Sequence, residues 1–412
     1  MFRWSRSRSP AFGFILTSVF LDALSFGFVF PLLPRLILGM AGHDAGSAAR
    51  IFGWMSASWS LMNFVAAPVL GALSDRFGRR PVLLISTFGL SVDFLIMGLA
   101  PNVAWLFVGR AMSGLTAASF SAASAYLADT TPPEGRAKRF GLFFAIHASG
   151  IILGPAAGGL LAAISPRAPF FAAAGLAALG WLYGLLILPE SLAPELRTRT
   201  PWRQANPFRA FGILARDGGL LGLAAVGTLI QLGAGAVNIT FVLYTAHRYH
   251  WAAAQTGLLL TVFAGGNILV MGVMAPALSR WIGERATLLW GVALSAIGFV
   301  ALGLAPTALA FCLACAPTCL GNMCAPPLRS LQTQRVAPTE QGRLQGALSS
   351  LQALTGLAGP IFFTQLFAWS IAPGSAKAMS GFSLLIAAAL MAAALPCAIA
   401  AARAPSRVEV AA

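Results

Sequence analysis

Charge is what this chain has least of. Of its 412 residues only 9% are Asp, Glu, Lys or Arg, and just 12 are acidic. Soluble domains carry about 25% charged residues. With 58% hydrophobic residues and a mean hydropathy of +0.79, a soluble fold of this length has no room to hide its apolar surface, so the excess must face lipid. Cysteine is scarce too. Of five, Cys312, Cys315, Cys319 and Cys324 crowd into one apolar run, which excludes a secreted disulfide framework. In such a run cysteine is a small hydrophobe rather than a metal or iron–sulfur ligand. His247 and His250 read as an exposed interfacial pair, so no metal is expected. No G-x-x-x-x-G-K-[ST] occurs, which excludes a nucleotide-binding loop of that kind. The net charge of +15 does not indicate nucleic acid, because the basic residues lie in short gaps between apolar runs rather than on a basic, aromatic-bearing soluble domain. "MFRWSRSRSP" precedes an apolar run with no small-residue cleavage site, and reads as the start of a retained helix rather than a signal peptide.

Runs of about 20 apolar residues, each long enough to cross a bilayer as a helix, recur twelve times: 11–37, 51–73, 81–100, 103–128, 138–163, 168–188, 219–245, 254–278, 286–305, 306–328, 344–369 and 378–402. Of the 27 Lys and Arg residues, 21 then fall on the side of the termini. Arg35, Arg50, Arg167, Arg248 and Lys377 fall on the other side, and Arg110 inside a span. Positive charge marks the cytoplasmic face, so both termini are expected there. The polar stretch 189–216 reads as a linker between six-helix halves at 1–188 and 217–412. The halves repeat. "GALSDRFGRRPVLL" at Gly71 returns as "PALSRWIGERATLL" at Pro276, 205 positions on, and the same offset carries Gly154 and Pro155 onto Gly359 and Pro360. The expected fold is an all-α membrane protein of 12 transmembrane helices in two pseudo-symmetric six-helix halves. Repeats of this kind build transporters that rock about a central site.

Three motifs stand out. In "GALSDRFGRRP" (Gly71 to Pro81) the glycines permit a tight turn, Asp75 suits a helix N-terminus, and Arg76, Arg79 and Arg80 suit bridging to acids on neighbouring helices. It is either a yielding latch or an ordinary positive-inside hairpin. "GIILGPAAGGLL" places Gly150, Gly154 and Gly158 on one helix face beside Pro155 and Gly159, a stripe for close packing. "LFVGRAMSGLTAA" puts Arg110 at bilayer depth, where a guanidinium needs an acidic partner. Asp22 and Asp93 are the acids at depth, and such groups are functional by default. His147, also at depth, titrates near neutral pH.

These motifs resemble the major facilitator superfamily, and within it the tetracycline-type drug:proton antiporters. The resemblance extends through "SVFLDALSFGFVFPLLP", "AYLADTTPPEGRAKRFG", "SPRAPFFAAAG", "LPES" and "QGRLQGALSSLQALTGLAGP". It implies that Asp75 caps a helix of the second half and that Arg79 reaches toward Asp129. It implies that Asp22 and Arg110 lie near a proton path, that Asp93 matches an acid of the third helix, and that Gln231 lies near the cavity. Asn63, His147, Asn238, Asn267 and Ser295 complete the expected cavity set. Those exporters carry an acid in the ninth helix, where this chain has Ser295, and often a histidine in the eighth, where it has Asn267. The departures argue against tetracycline–metal chelates as substrate and move any proton site into the first half. The implied activity is efflux of a small, largely apolar compound in exchange for protons. The implied protein is a monomer in a bacterial-type inner membrane that is not an enzyme, driven by the proton gradient with no cofactor, and its partners are substrate, protons and lipid. Export or import of a metabolite or siderophore, and a non-transporting receptor on the same fold, are the alternatives.

Overall fold

A computed structural model describes residues 8–29, 31–117, 119–131, 136–192, 197, 211–336, 341–372 and 380–403. Most of the predicted linker (193–196 and 198–210) and Lys377 lie outside them. Among the described residues there is helix and no strand, as a bilayer demands of a chain that does not close into a barrel.

The first half holds α1 (Arg8–Val29), α2 (Leu33–Met40), α3 (Ala45–Phe77), α4 (Arg79–Leu99), α5 (Val103–Thr116), α6 (Ser119–Thr130), α7 (Arg136–Ile164) and α8 (Ala168–Ile187). α1 and α2 form one crossing that restarts with Pro34 in the first turn of α2, where the missing N–H breaks no bond. The second half holds α9 (Gly218–Tyr249), α10 (Ala253–Leu269), α11 (Ala275–Ile282), α12 (Glu284–Leu304), α13 (Ala308–Gly321), α14 (Ala325–Thr333), α15 (Gln341–Ser370) and α16 (Phe382–Arg403). A π turn, Val270–Met274, joins α10 to α11, and a 3-10 turn, Asn322–Cys324, joins α13 to α14. Eleven of these runs are long and apolar enough to cross a membrane. α5 with α6 makes the twelfth, giving two six-helix halves. The outward side chains are apolar: Ile164 is 81% exposed and Leu186 75%, which suits lipid and not water.

Two expected spans differ in form. The fourth, 103–128, is split, because α5 ends in a turn where Ala117 N reaches Gly114 O at 3.5 Å. The tenth runs on to Thr333 instead of stopping near 328. Pro326 does not end the helix; it falls in the first turn of α14, where no N–H is needed.

The duplication is visible in detail. Asn102 caps α5 by accepting from Trp105 N, and Thr307, 205 positions on, caps α13 by accepting from Ala310 N. Gly78 and Gly283, at the same offset, both take positive φ (106° and 85°) before α4 and α12, a conformation that penalises any Cβ.

Chain contacts divide the molecule into two units, Met1–Gly42 with Ser58–Ala205 and Ala252–Thr261, and His43–Ala57 with Asn206–Trp251 and Val262–Ala412. In the first, Pro155 O abuts Gly257; in the second, Pro360 O abuts Gly53. Both ends of the polar stretch 189–216 are docked rather than solvated. Glu190 binds the start of α4, and Ile213 and Leu214 are buried in the second unit.

Candidate functional site

The first unit carries an open-sided cavity of about 290 Å³. Asp22 on α1 and His147 on α7 line it, with Trp59 from α3 and Ser113 from α5. The imidazole of His147 is hydrogen-bonded to the backbone of Val19, one turn before Asp22. An acid and an imidazole thus share one small chamber on facing helices.

α1 and α7 meet so closely because of the glycine stripe. A Cβ on Gly150 would lie 2.7 Å from Ala23 Cβ, one on Gly154 2.5 Å from Gly27 Cα, and one on Gly158 2.8 Å from Phe28 Cα. Gly159 faces elsewhere, against Ala253 and Ala254 at the start of α10, beside the Pro155 contact with Gly257. The motif therefore glues α7 to two partners at once.

A charge at bilayer depth is expected to face the cavity, and for Asp93 that expectation needs correction. Asp93 does not line the cavity; it is fully buried. Ser113 and Arg110 are the side chains that act on its carboxylate, yet neither oxygen reaches hydrogen-bond geometry with any described residue. Ser113 stands between Asp93 and the cavity. Arg110, 6% exposed, is likewise behind the wall. Its guanidinium lies over the Trp59 ring at 5.4 Å, and among the described residues it makes no direct ion pair. The acidic contact partner expected for it is replaced by an aromatic face at contact range, with Asp93 acting through space. Each buried charge touches the cavity through one lining side chain, Ser113 or Trp59.

A second polar assembly surrounds α4's first residue. Arg79 Nη1 donates to Asp75 Oδ1 at 2.5 Å and to Ser74 Oγ at 3.1 Å, while Nε donates to Asp129 Oδ2 at 3.0 Å. Glu190 accepts from Arg79 N at 2.8 Å and Arg80 N at 3.3 Å, a carboxylate at a helix N-terminus. Arg80 Nη2 donates to Leu185 O. Gly78 has both the required φ and no Cβ to strike the Glu190 carboxylate. Gly71 and Arg76 stand outside the knot: a Cβ on Gly71 would meet nothing within 4 Å, and Arg76 lies over Phe77. Glu190 was not among the expected site residues. Its local signals are an acid directly after an apolar span and its place in the "LPES" stretch.

The remaining expected cavity residues scatter. Gln231 lines a separate cavity within the second unit. Asn267 accepts from Asn322 Nδ2 at 2.5 Å. Ser295 is 3% exposed, wedged against Gly321 where α12 meets α13, so it is packing rather than lining. Asn63 is half-buried and Asn238 exposed, and neither lines either cavity. Sequence reasoning missed Trp59, a lone indole in "SASWSLMN" with no partner in sequence to flag it. Among the described residues no group of three or more His, Cys, Asp or Glu could hold a metal ion. Cys315, Cys319 and Cys324 are buried thiols.

The Major Facilitator Superfamily profile matches residues 15–360 and, again, 223–410. The chain is 38% identical over 388 residues to the "Tetracycline resistance protein, class C" of Escherichia coli, covering 93% of this chain and 94% of that protein. It is 28% identical over 355 residues to "Multidrug resistance protein 1" of Bacillus subtilis (strain 168), covering 86% and 88%. Its fold is similar to the crystal structure of the nucleoside transporter NupG, with a TM-score of 0.76 at 13% identity, covering 96% of this chain and all of that one. With the profile matched from span to span and the helix duplication visible in its caps and glycines, the chain belongs to the Major Facilitator Superfamily.

Proposed function

We propose that this chain exports a small, largely apolar organic compound, drug-like in the manner of its tetracycline- and multidrug-resistance relatives, in exchange for protons. The observation that carries the reading is the first unit's cavity, which holds Asp22 and His147 while Asp93 and Arg110 stand directly behind it. Ionisable groups at bilayer depth are retained where they serve proton relays. The 205-residue offset carries Asp22, Asp93 and Arg110 onto Gly227, Gly298 and Cys315, so the acids at depth belong to the first half alone.

One proton entering down 100 mV releases about 2.3 kcal/mol, enough for a gradient of roughly fifty-fold, since 1.4 kcal/mol is tenfold. In this reading Asp22 takes up and releases the proton within the cavity, Asp93 and Arg110 set its field, and the Asp75–Arg79–Asp129 knot latches one state and yields when the halves rock. Both termini and the 189–216 segment lie in the cytoplasm, and the protein works as a monomer in the inner membrane of a bacterial-type cell. The tight α1–α7 seam has the character of a packing device, and its small residues place Asp22 opposite His147. In everted vesicles from a pump-deficient host, an added compound that the chain transports releases protons from the acidified lumen. No release with any member of a panel of toxic apolar compounds removes the reading.

A further inference from the structure

The second unit has its own cavity, of about 330 Å³, and the internal repeat relates it to the first. At the 205-residue offset Asp22 becomes Gly227, Phe26 becomes Gln231 and His147 becomes Gln352, and all three replacements line the second cavity. The acid has gone. In its place a cation has come from a different helix: Arg329 on α14 lines this cavity, where the first half carries Ser124.

Arg329 is exposed to the cavity and, among the described residues, engages no acid. The described acids of this unit are all committed elsewhere. Asp217 pairs with Arg335 at 3.1 Å and caps α9 through Gly219 N. Glu284 accepts from Ser330 Oγ at 2.7 Å and Gln334 Nε2 at 3.1 Å, both beyond Arg329 in sequence, and not from Arg329 itself. Asp44 caps α3. Beside Arg329, Gln332 is 2% exposed. Its Nε2 donates to Leu223 O at 3.1 Å, while its buried Oε1 has no partner among the described residues. A buried acceptor without a donor is rare enough to need an explanation, and this one borders a cavity. The π turn at Val270–Met274 brings Met271 to the same wall; such turns gather at functional sites, and a thioether gives a pliant apolar surface.

We infer that the second unit's cavity is the substrate's polar subsite and takes an organic anion: Arg329 holds a carboxylate or enolate oxygen, Gln332 Oε1 accepts from a hydroxyl or N–H of the same ligand, and Gln231 and Gln352 offer amides on the facing helices. A guanidinium fork suits a planar oxyanion. The two halves then divide the work, with acids for the proton in one and a cation for the substrate in the other. That this ligand is transported rests on the export reading above; that it binds here does not. The competing account is that Arg329 is a solvated residue serving only membrane orientation.

The test is equilibrium binding to the purified full-length chain in lipid nanodiscs, with no gradient applied. Two dyes share a xanthene core: fluorescein, an anion with a free carboxylate, and rhodamine 123, a cation with that carboxylate esterified. Fluorescence anisotropy at neutral pH should show saturable fluorescein binding about tenfold or more tighter than rhodamine 123, weakened by salt. Arg329→Gln should reduce fluorescein affinity about tenfold, the loss of one charge-assisted contact. Arg329→Lys, which keeps the charge and loses the fork, should fall between, and it decides the matter if the Gln variant does not elute as a single folded species. The inference is overturned if fluorescein does not bind saturably, if rhodamine 123 binds as tightly, or if both Arg329 variants bind fluorescein like the parent. Normal fluorescein binding with no proton release in vesicles would remove the export reading alone. Proton release with Arg329-insensitive binding would remove this inference alone.

Discussion

Gly154→Ala adds one methyl group where α7 has no room for it. The new Cβ would sit 2.5 Å from Gly27 Cα, 2.8 Å from Gly27 C and 3.1 Å from Leu24 O. Carbon atoms prefer about 3.5–4 Å, and every neighbour is backbone, so no side chain can rotate away. α1 and α7 must part by about 1 Å over several turns. Overpacking of this kind costs about 1–3 kcal/mol, against which alanine's better helix propensity returns up to about 1 kcal/mol. The net loss is about 0–3 kcal/mol, centred near 1.5, at about 2–4 °C in melting temperature per kcal/mol for a unit of this size. Gly175→Ala is the internal control, since its Cβ meets nothing within 4 Å and only the propensity gain remains. The assay is a melt of the detergent-purified chain with a thiol-reactive dye, for which the buried Cys315, Cys319 and Cys324 are built-in reporters. Gly154→Ala should melt several degrees below the parent, and Gly175→Ala with or slightly above it. If the two variants melt together, the close-packing role of the stripe is wrong.

Asp75→Asn removes the anion 2.5 Å from Arg79 and should cut transport severely while expression stays near the parental level; parental transport would end the latch role. Asp44 lies between spans, and hydrogen bonds from the Ser47 side chain and backbone, then Gly46 N, hold its carboxylate below the usual range. A depressed pKa gives stability that is present above the unfolded value of about 3.9 and lost as pH falls through the folded one. The melting gap between the parent and Asp44→Ala should therefore be constant from neutral pH to about 4 and close below it; a gap unchanged in stronger acid would show that the cap does not depend on the charge. Cysteines placed in 189–216 should resist impermeant thiol reagents in intact cells, and labelling from outside would reverse the topology.

How much of this was legible in sequence depends on the range of the interaction. Span length and the 205-residue repeat are patterns in the chain itself, so the twelve helices and the matched Gly78 and Gly283 could be read directly. The environment of Arg110 could not. Its need for a partner follows from burial cost, but the choice of Trp59 over a contacting carboxylate depends on how α3 lies against α5. Asp93 reads as cavity-facing because a charge at depth invites that inference, yet one hydroxyl, Ser113, moves it behind the wall. Arg329 falls just past the expected tenth span, 306–328, because "APP" at Ala325 to Pro327 looks like a helix end; proline at the first turn of α14 starts a helix just as well. Glu190 caps α4 across more than a hundred residues, a pairing no local motif announces.

If Asp22 carries the coupled proton, one variant should separate transport from coupling. Proteoliposomes bearing Asp22→Asn are assayed for substrate counterflow, which needs no net proton movement, and for accumulation driven by an imposed pH gradient. Counterflow should persist and pH-driven accumulation vanish, with Asp93→Asn shifting the pH optimum and weakening coupling rather than abolishing it. If Asp22→Asn accumulates substrate like the parent, Asp22 is not the carrier, and the cavity it shares with His147 is not where the proton crosses.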